Sequence, residues 1–291
     1  MSEIRKRKTL WTLAGIALLT GVSLLAFAGE LEPPGPPAPT MKDLDTVEAR
    51  TPIRASDLPL SITLPGSYYL VEDITASAGG ISIGTTCVTI DLNGFALYGA
   101  GFAGDGISTV AGVENVEIRN GVVFSWGQDG IDMTNATNVR LLDLRVTDNV
   151  GNGVVLGDDS VLRDSTINGN TGNGVELVGQ GSLVQDNVIH SNTMSGIWVD
   201  GDAHQIRDNS ITANQTYGIF VTNFSDSQII VDNLFTNNVT LSLEFTEFSV
   251  GHVVARNIGT RSGPNYNQLA GDWGPVSTAA AATNPAGNIN N

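Results

Sequence analysis

The stretch Arg207–Val221, RDNSITANQTYGIFV, repeats Gln185–Val199, QDNVIHSNTMSGIWV, after twenty-two residues. Laid over each other, the two share Asp208/Asp186, Asn209/Asn187, Ile211/Ile189, Asn214/Asn192, Gly218/Gly196, Ile219/Ile197 and Val221/Val199. The repeat reaches well beyond this pair. Gly followed by an aliphatic residue recurs at Gly80, Gly106, Gly130, Gly153, Gly174, Gly196 and Gly218, in steps of 26, 24, 23, 21, 22 and 22. Asn149, Asn170, Asn192, Asn214 and Asn238 keep the same step. Two markers in phase over several repeats signal a solenoid.

Within one unit, Gly174-Val-Glu-Leu, Ser182-Leu-Val and Val188-Ile-His are strand-length pieces separated by Gly, Asn, Asp and Ser. Leucine-rich repeats share the period but need a Leu scaffold that is absent. The reading is an all-β, single-stranded right-handed parallel β-helix of about eight to nine rungs. Each rung holds three short strands, and strands pair one rung apart at about 4.8 Å. Equivalent residues then stack. The pairs Ile131/Met133, Val154/Leu156, Val175/Leu177, Ile197/Val199 and Ile219/Val221 are predicted to point inward. The Asn column is predicted to form an amide ladder, and the marker glycines to supply corner backbone angles. Right-handedness follows the rule for parallel crossovers.

The segment Val88-Thr-Ile-Asp-Leu-Asn-Gly, followed by rungs of the form Asp-Asn-x-Ile-x-x-Asn-x-x-x-Gly-Ile, resembles the pectin-lyase-like right-handed β-helix superfamily over residues 60–260. It is most similar to secreted bacterial β-helix repeat proteins and to periplasmic carbohydrate-binding and sugar-hydrolysis repeat modules. The resemblance implies the fold. For activity it spans lyases, polygalacturonases, epimerases, tailspikes and non-enzymatic repeat proteins.

Residues 1–28 read as a signal peptide: Arg5 to Lys8 are basic, Leu10 to Leu25 is apolar, and Ala26-Phe27-Ala28 offers a cleavage site. The chain would be secreted, periplasmic or cell-surface, with membrane contact only if the segment stays uncleaved. Residues 29–40 form a Pro-rich linker. Residues 41–65 are assigned to an N-terminal cap, with a short helix around Met41–Glu48. The coil takes 66–260, and 261–291 a C-terminal cap and flexible tail in which Tyr266 and Trp273 could cover the last rung. The chain carries a formal net charge of −16. Without residues 1–28, 10 basic and 29 acidic residues remain, a net −19. That excludes nucleic acid as a partner, and no motif points to a nucleotide. The single Cys87 has no internal disulfide partner and is predicted to be buried.

Alternation turns the second residue after each marker glycine outward: Ser82, Ser108, Asp132, Val155, Glu176, Trp198 and Phe220. Trp198 and Phe220 beside carboxylates suit a sugar-binding strip, against the alternative that a loop or the tail covers them. Asp132 and Glu176, two rungs or about 9.6 Å apart, are candidate catalytic carboxylates near the span that inverting glycosidases use. Arg163 and Arg207, two rungs apart around Gln185, would pair with substrate carboxylates or act as the base that the lyase resemblance implies or, alternatively, pair with neighbouring acids. Asp158, Asp159, Asp200 and Asp202 are candidate Ca²⁺ ligands, or turn formers. Gly157-Asp-Asp-Ser160 matches one polygalacturonase element, but that family's other elements are missing. No Lys follows Lys42. His190, His204 and His252 do not form a metal-ligand spacing. Two functions stay open: binding of extracellular or cell-wall polysaccharide, with or without cleavage by a lyase or hydrolase, and a non-catalytic structural or adhesion module.

Overall fold

The computed structural model describes residues 48–260, except 77, 102 and 247, and short strands at Asp272–Trp273, Val276–Thr278 and Asn288–Asn290. The expected signal peptide, the linker and nearly all of the helix expected at 41–48 lie outside the described residues. Among those residues the only helical element is a 3₁₀ turn, Ala55–Asp57, and none is long and apolar enough to cross a membrane.

From Arg50 to residue 260 the described residues wind as a parallel β-solenoid of the right-handed β-helix class. One column of nine strands forms its own sheet. It runs from Leu60–Ile62 through Ile81–Ile83, Ile107–Thr109, Ile131–Met133, Val154–Leu156, Val175–Leu177, Ile197–Val199 and Tyr217–Val221 to Leu241–Phe245. These nine strands set the number of turns. A second sheet carries the other two columns. The second column includes Val161–Arg163, Leu183–Gln185 and Gln205–Arg207. The third includes Thr166–Asn168, Val188–His190 and Ser210–Thr212.

Coiling starts earlier than residue 66. Thr51–Ile53 pairs with Tyr68–Leu70, and Leu60–Ile62 with Ile81–Ile83. It also continues late: Asp272 and Trp273 pair with Val253 and Val254 in the second column, and Ile289 with Ile258 in the third. Tyr266 and the side chain of Trp273 lie outside the described residues.

Two of the rungs depart from three short strands. Val113–Phe124 and Ala136–Thr147 each run unbroken through the second and third columns. There the corner is turned by one left-handed residue, Asn120 or Asp143, at φ +59° and +51°. Asp and Asn tolerate that region because their short polar side chains bond locally.

All ten inward aliphatics expected from the repeat, Ile131 to Val221, are buried. The marker glycines serve a purpose other than the one expected. Gly130, Gly153, Gly174, Gly196 and Gly218 do not adopt positive φ; the left-handed corners belong to residues such as Asp164, Asp186, Asp208, Ala203 and Ser227. The glycines are needed for space. A Cβ on Gly174 would lie 2.6 Å from the Gly196 carbonyl oxygen, 2.7 Å from Asn192 Nδ2 and 2.7 Å from Ile189 Cγ2.

The Asn column is a buried ladder. Each Nδ2 donates to the next Oδ1 from Asn149 to Asn170 at 2.9 Å, and onward through Asn192 and Asn214 to Asn238 at 3.0 Å. Each Oδ1 also accepts the preceding rung's backbone N–H. Trp126, fully buried, occupies the rung below, and its backbone N–H donates to Asn149 Oδ1. A second ladder, Ser165–Asn187–Asn209–Asn233–Asn257, fills the corner between the second and third columns. A third, Ser160–Ser182–His204–Gln228–His252, fills the corner between the first and second. Cys87, expected to be buried, is exposed and left-handed at φ +58°.

Candidate functional site

The outward line of the first column follows the expected order and extends it at both ends. The register stacks Ser61, Ser82, Ser108, Asp132, Val155, Glu176, Trp198, Phe220 and Glu244. Trp198 and Phe220 are part-exposed and stack at 4.5 Å between centroids with planes 24° apart. Tyr217 tilts against Phe220 at 4.8 Å and 41°. Because the two rings stack from rung to rung, their faces look along the coil axis and their edges look outward. The pair is therefore not the flat outward strip that alternation suggests. One face of Trp198 is covered by Phe220, and the other looks toward the Glu176 rung.

Glu176 accepts a 2.7 Å hydrogen bond from Asn152 Nδ2, so it leans toward the preceding rung and away from Trp198. Asp132 accepts from the Thr134 N–H at 2.9 Å and its hydroxyl at 2.6 Å, closing a local turn. Buried Val155 separates Asp132 from Glu176 in the line. The expected pair is thus on one face, two rungs apart, but each carboxylate has its own anchor.

Two further carboxylates join them. Asp105 and Asp129 stand one residue before the marker glycines and are stacked. Asp105 Oδ1 accepts the Asp129 N–H at 3.1 Å, and Asp129 Oδ1 accepts the Asn152 N–H. Burial pushes the Asp129 carboxyl up to about 6. The Asn152 N–H opposes this, and the charges of Asp105, Asp132 and Glu176 add to it. Burial also raises Asp105 and Glu176, with Asp132 adding repulsion to both and Asp200 to Glu176. The sequence signal was the repeated Asp-Gly-Ile at 105–107 and 129–131. Alternation counted forward from each glycine does not reach these two positions, which precede it.

The remaining candidates do not converge on this face. Arg163 and Arg207 share the outward line of the second column around Gln185, on the other sheet. Arg163 lies 3.4 Å from Asp186, the pairing with a neighbouring acid. The four aspartates expected as metal ligands are placed at the turn after the first column. Asp158 accepts the Gln180 N–H at 2.9 Å, Asp200 the Thr222 hydroxyl at 3.0 Å and Asp202 the Asp226 N–H at 2.7 Å, while Asp159 is exposed in a left-handed corner. Among the described residues no three His, Cys, Asp or Glu side chains are grouped to hold a metal ion.

His204 is more than a turn residue. It is fully buried in the third ladder, where Nδ1 accepts the Ser182 N–H at 3.1 Å. Burial lowers it to about 4, opposed by the Gly179 carbonyl and by Asp202 and Asp158. His252 takes the same position two rungs on and is likewise lowered by burial. His190 points outward on the third column and meets Ser191 at 3.1 Å.

The solenoid has known counterparts. The Dettilon tailspike protein superposes with a TM-score of 0.60 at 14% identity, covering 79% of this chain and 59% of its own. The alginate lyase of Paenibacillus sp. str. FPU-7 gives 0.50 at 15%, covering 77% and 100%. A variant of the periplasmic alginate epimerase AlgG gives 0.50 at 12%, covering 78% and 69%. At such identities the likeness shows the fold alone, and the chain spans little more than half of the tailspike. No curated protein matches. The family model described as periplasmic copper-binding protein (NosD) matches residues 87–254, more than half of the chain and nearly all of the regular coil. On that match the chain belongs to the NosD family of periplasmic β-helix proteins.

Proposed function

We propose that the chain binds a cell-envelope or extracellular polysaccharide along the outward line of the first column. The observation that carries this is the part-exposed Trp198–Phe220 stack, which follows Glu176 in the outward line. An indole face takes the apolar face of a sugar ring, and the carboxylates beside it accept hydroxyl hydrogen bonds. The tailspike, lyase and epimerase likenesses agree with a coil that presents its outer face to a polymer.

Cleavage is a further step of the same reading. Asp132 and Glu176, about 9.6 Å apart along the axis, span a distance into which a water and a glycosidic bond fit. Asp129, raised to about 6, is the carboxyl that keeps a proton nearest neutrality, as a general acid requires. The second reading, a non-catalytic surface module, is favoured by the turn that Asp132 already closes with Thr134.

Copper, which the family's description names, does not fit the described residues. Copper sites draw on imidazole and sulfur donors. Here His204 and His252 give Nδ1 to backbone N–H groups inside the coil, Cys87 stands alone, and no group of three or more His, Cys, Asp or Glu is disposed for a metal.

Tryptophan fluorescence titrated with a panel of neutral and charged polysaccharides tests the proposal. Trp126 is fully buried, so a saturable shift abolished in Trp198→Phe reports this site. Release of reducing ends or of unsaturated sugars separates enzyme from binder. An unchanged signal across the panel would remove the glycan reading.

A further inference from the structure

The turn that follows the first column lengthens near the end of the coil. Val199, Val221 and Phe245 stack at the strand ends, and His204, Gln228 and His252 stack in the ladder that closes the turn. Four residues, Asp200 to Ala203, join strand to ladder in the first of these rungs. Six join them in the next two, Thr222 to Ser227 and Thr246 to Gly251. Both longer turns put a phenylalanine at the same place, Phe224 and Phe248. The two rings lie 5.7 Å apart with planes 13° apart, and the residues are 72% and 64% exposed. Both backbones are left-handed, at φ +66° and +75°. Bulky side chains rarely adopt that region. The other left-handed non-glycine residues described are Asn, Asp, Ser, Ala, Cys and Arg.

Core packing does not explain this conformation, because neither ring is buried. The turn is held from beneath instead. Ser225 and Ser249, each the next residue, are buried. Ser225 Oγ accepts the Gly201 N–H at 3.1 Å and meets the Thr222 hydroxyl at 2.9 Å, and Ser249 Oγ donates to the Thr222 carbonyl at 2.8 Å. A strained residue that its surroundings hold in place is a mark of a ligand site, and an exposed apolar pair is another. In the rungs before Trp198, neither the outward line of the first column nor the turn after it contains an aromatic residue. Trp198, Tyr217, Phe220, Phe224 and Phe248 therefore gather on the last three rungs of that column and its turn.

Resting on the proposal that the first column binds a glycan, we infer that the site extends over this turn, with the Phe224–Phe248 pair as its second aromatic platform. Phe224, Phe248 and the exposed Val250 are too few for a protein interface, which takes roughly 20–30 residues a side. The three turns carry Asp200, Asp202 and Asp226 and no Lys or Arg, so an anionic lipid surface finds nothing to hold it. A sugar chain that continues from Trp198 and Phe220 fits both the small apolar area and its place. The ligand class is a polymer whose successive pyranose rings carry their hydroxyls equatorially. Such rings offer an unbroken C–H face to each platform. An axial hydroxyl on every ring interrupts that face and loses its water without gaining a partner.

The test titrates the full chain with a cello-oligosaccharide and with a β-linked manno-oligosaccharide of equal length, which differs by one axial hydroxyl on each ring. Calorimetry gives the affinities, and the cello-oligosaccharide should bind roughly ten-fold tighter. Phe224→Asn and Phe248→Asn each supply a residue that tolerates the left-handed region. Each variant should bind the cello-oligosaccharide roughly ten-fold more weakly, the effect of one aromatic contact. Each should also melt at or above the wild-type temperature, because the strain is relieved. Unchanged affinity in both variants, or equal affinity for the two oligomers, would overturn the inference. So would melting well below wild type, which would make the pair a prop of the coil. If Trp198→Phe still weakens binding in those cases, the first-column reading stands. A wild-type chain that binds neither oligomer but takes another polymer through Trp198 ends the inference alone. Weaker binding in the phenylalanine variants with none in Trp198→Phe would place the glycan on the turn, which ends the first-column reading and the extension drawn from it.

Discussion

At the scale of single residues, the corners decide the coil. In the laddered rungs each tight corner takes a left-handed residue, then a side chain whose acceptor takes the preceding rung's N–H. Asp186 and Asn187, or Ala203 and His204, are such pairs. His204 can fill the post only as a neutral ring, because a protonated Nδ1 cannot accept the Ser182 N–H. Its folded value of about 4 lies below the ordinary 6.5. Between those values the unfolded chain binds the proton and the folded one does not. The stability this residue contributes is therefore complete above about 6.5 and is lost as pH falls through about 4. His204→Gln copies the acceptor that Gln228 supplies one rung on. Its melting temperature should fall less than wild type between pH 7 and pH 4.5, and a parallel loss would show that His204 does not govern the acid response. Asp129 acts with opposite sign. Its folded value of about 6 exceeds the ordinary 3.8, so stability declines as pH rises from about 4 to about 6. Asp129→Asn should raise the melting temperature at pH 8 and leave it near wild type at pH 3.5. Thermal melts at the two pH values check this.

At the scale of the element, the rung was legible where one residue type marks one job. The Asn149–Asn238 ladder is visible because the same amide recurs in phase. The Asn187–Asn257 ladder sits inside the Asp-Asn step that the opening alignment already contains, yet it starts with Ser165 and follows Arg rather than Asp at Asn257. The third ladder hides because Ser, His and Gln take turns at an identical geometric task. The glycine marker was legible as a position while its cause was not, since close approach to the next rung leaves no trace in one chain's pattern. Gly174→Ala isolates that cause. Its Cβ meets the Gly196 carbonyl and the Asn192 amide, neither of which can yield without breaking the ladder. A cost of about 1–3 kcal/mol is expected. Asn192→Ala should cost at least as much, because the Asn170 N–H and Nδ2 then lose their acceptor in a buried site, at about 1–3 kcal/mol for each group. Denaturant titration measures both, and a midpoint within error of wild type for either would refute its steric or hydrogen-bond account.

At the scale of the whole coil, the three ladders overlap only in part. Corner acceptors of all three kinds run together from Ser160 to Asn238, whereas the rungs from Leu60 to Phe124 rely on aliphatic stacking and on Trp126. Each rung of the laddered part gains three side-chain acceptors for corner N–H groups, at about 1 kcal/mol apiece. Repeat stability is close to a sum of such nearest-neighbour terms. The period in the sequence announced the number of rungs but not this gradient, nor the ends. Thr51–Ile53 and Asp272–Trp273 join columns without carrying either marker. A consequence follows for opening of the native coil. The backbone amides of Asn170, Asn187, Asn192 and Asn209 each donate to a buried side-chain oxygen with laddered rungs on both sides. They should be among the slowest to exchange with deuterated solvent, and Ile81, Ile107 and their neighbours should exchange sooner. Asn192→Ala should speed exchange in the rungs on either side of it and leave the Leu60–Ile83 rungs unchanged. Uniform protection along the coil, or faster exchange everywhere in that variant, would mean that the solenoid opens as one cooperative unit and that the ladders set its total stability rather than its gradient.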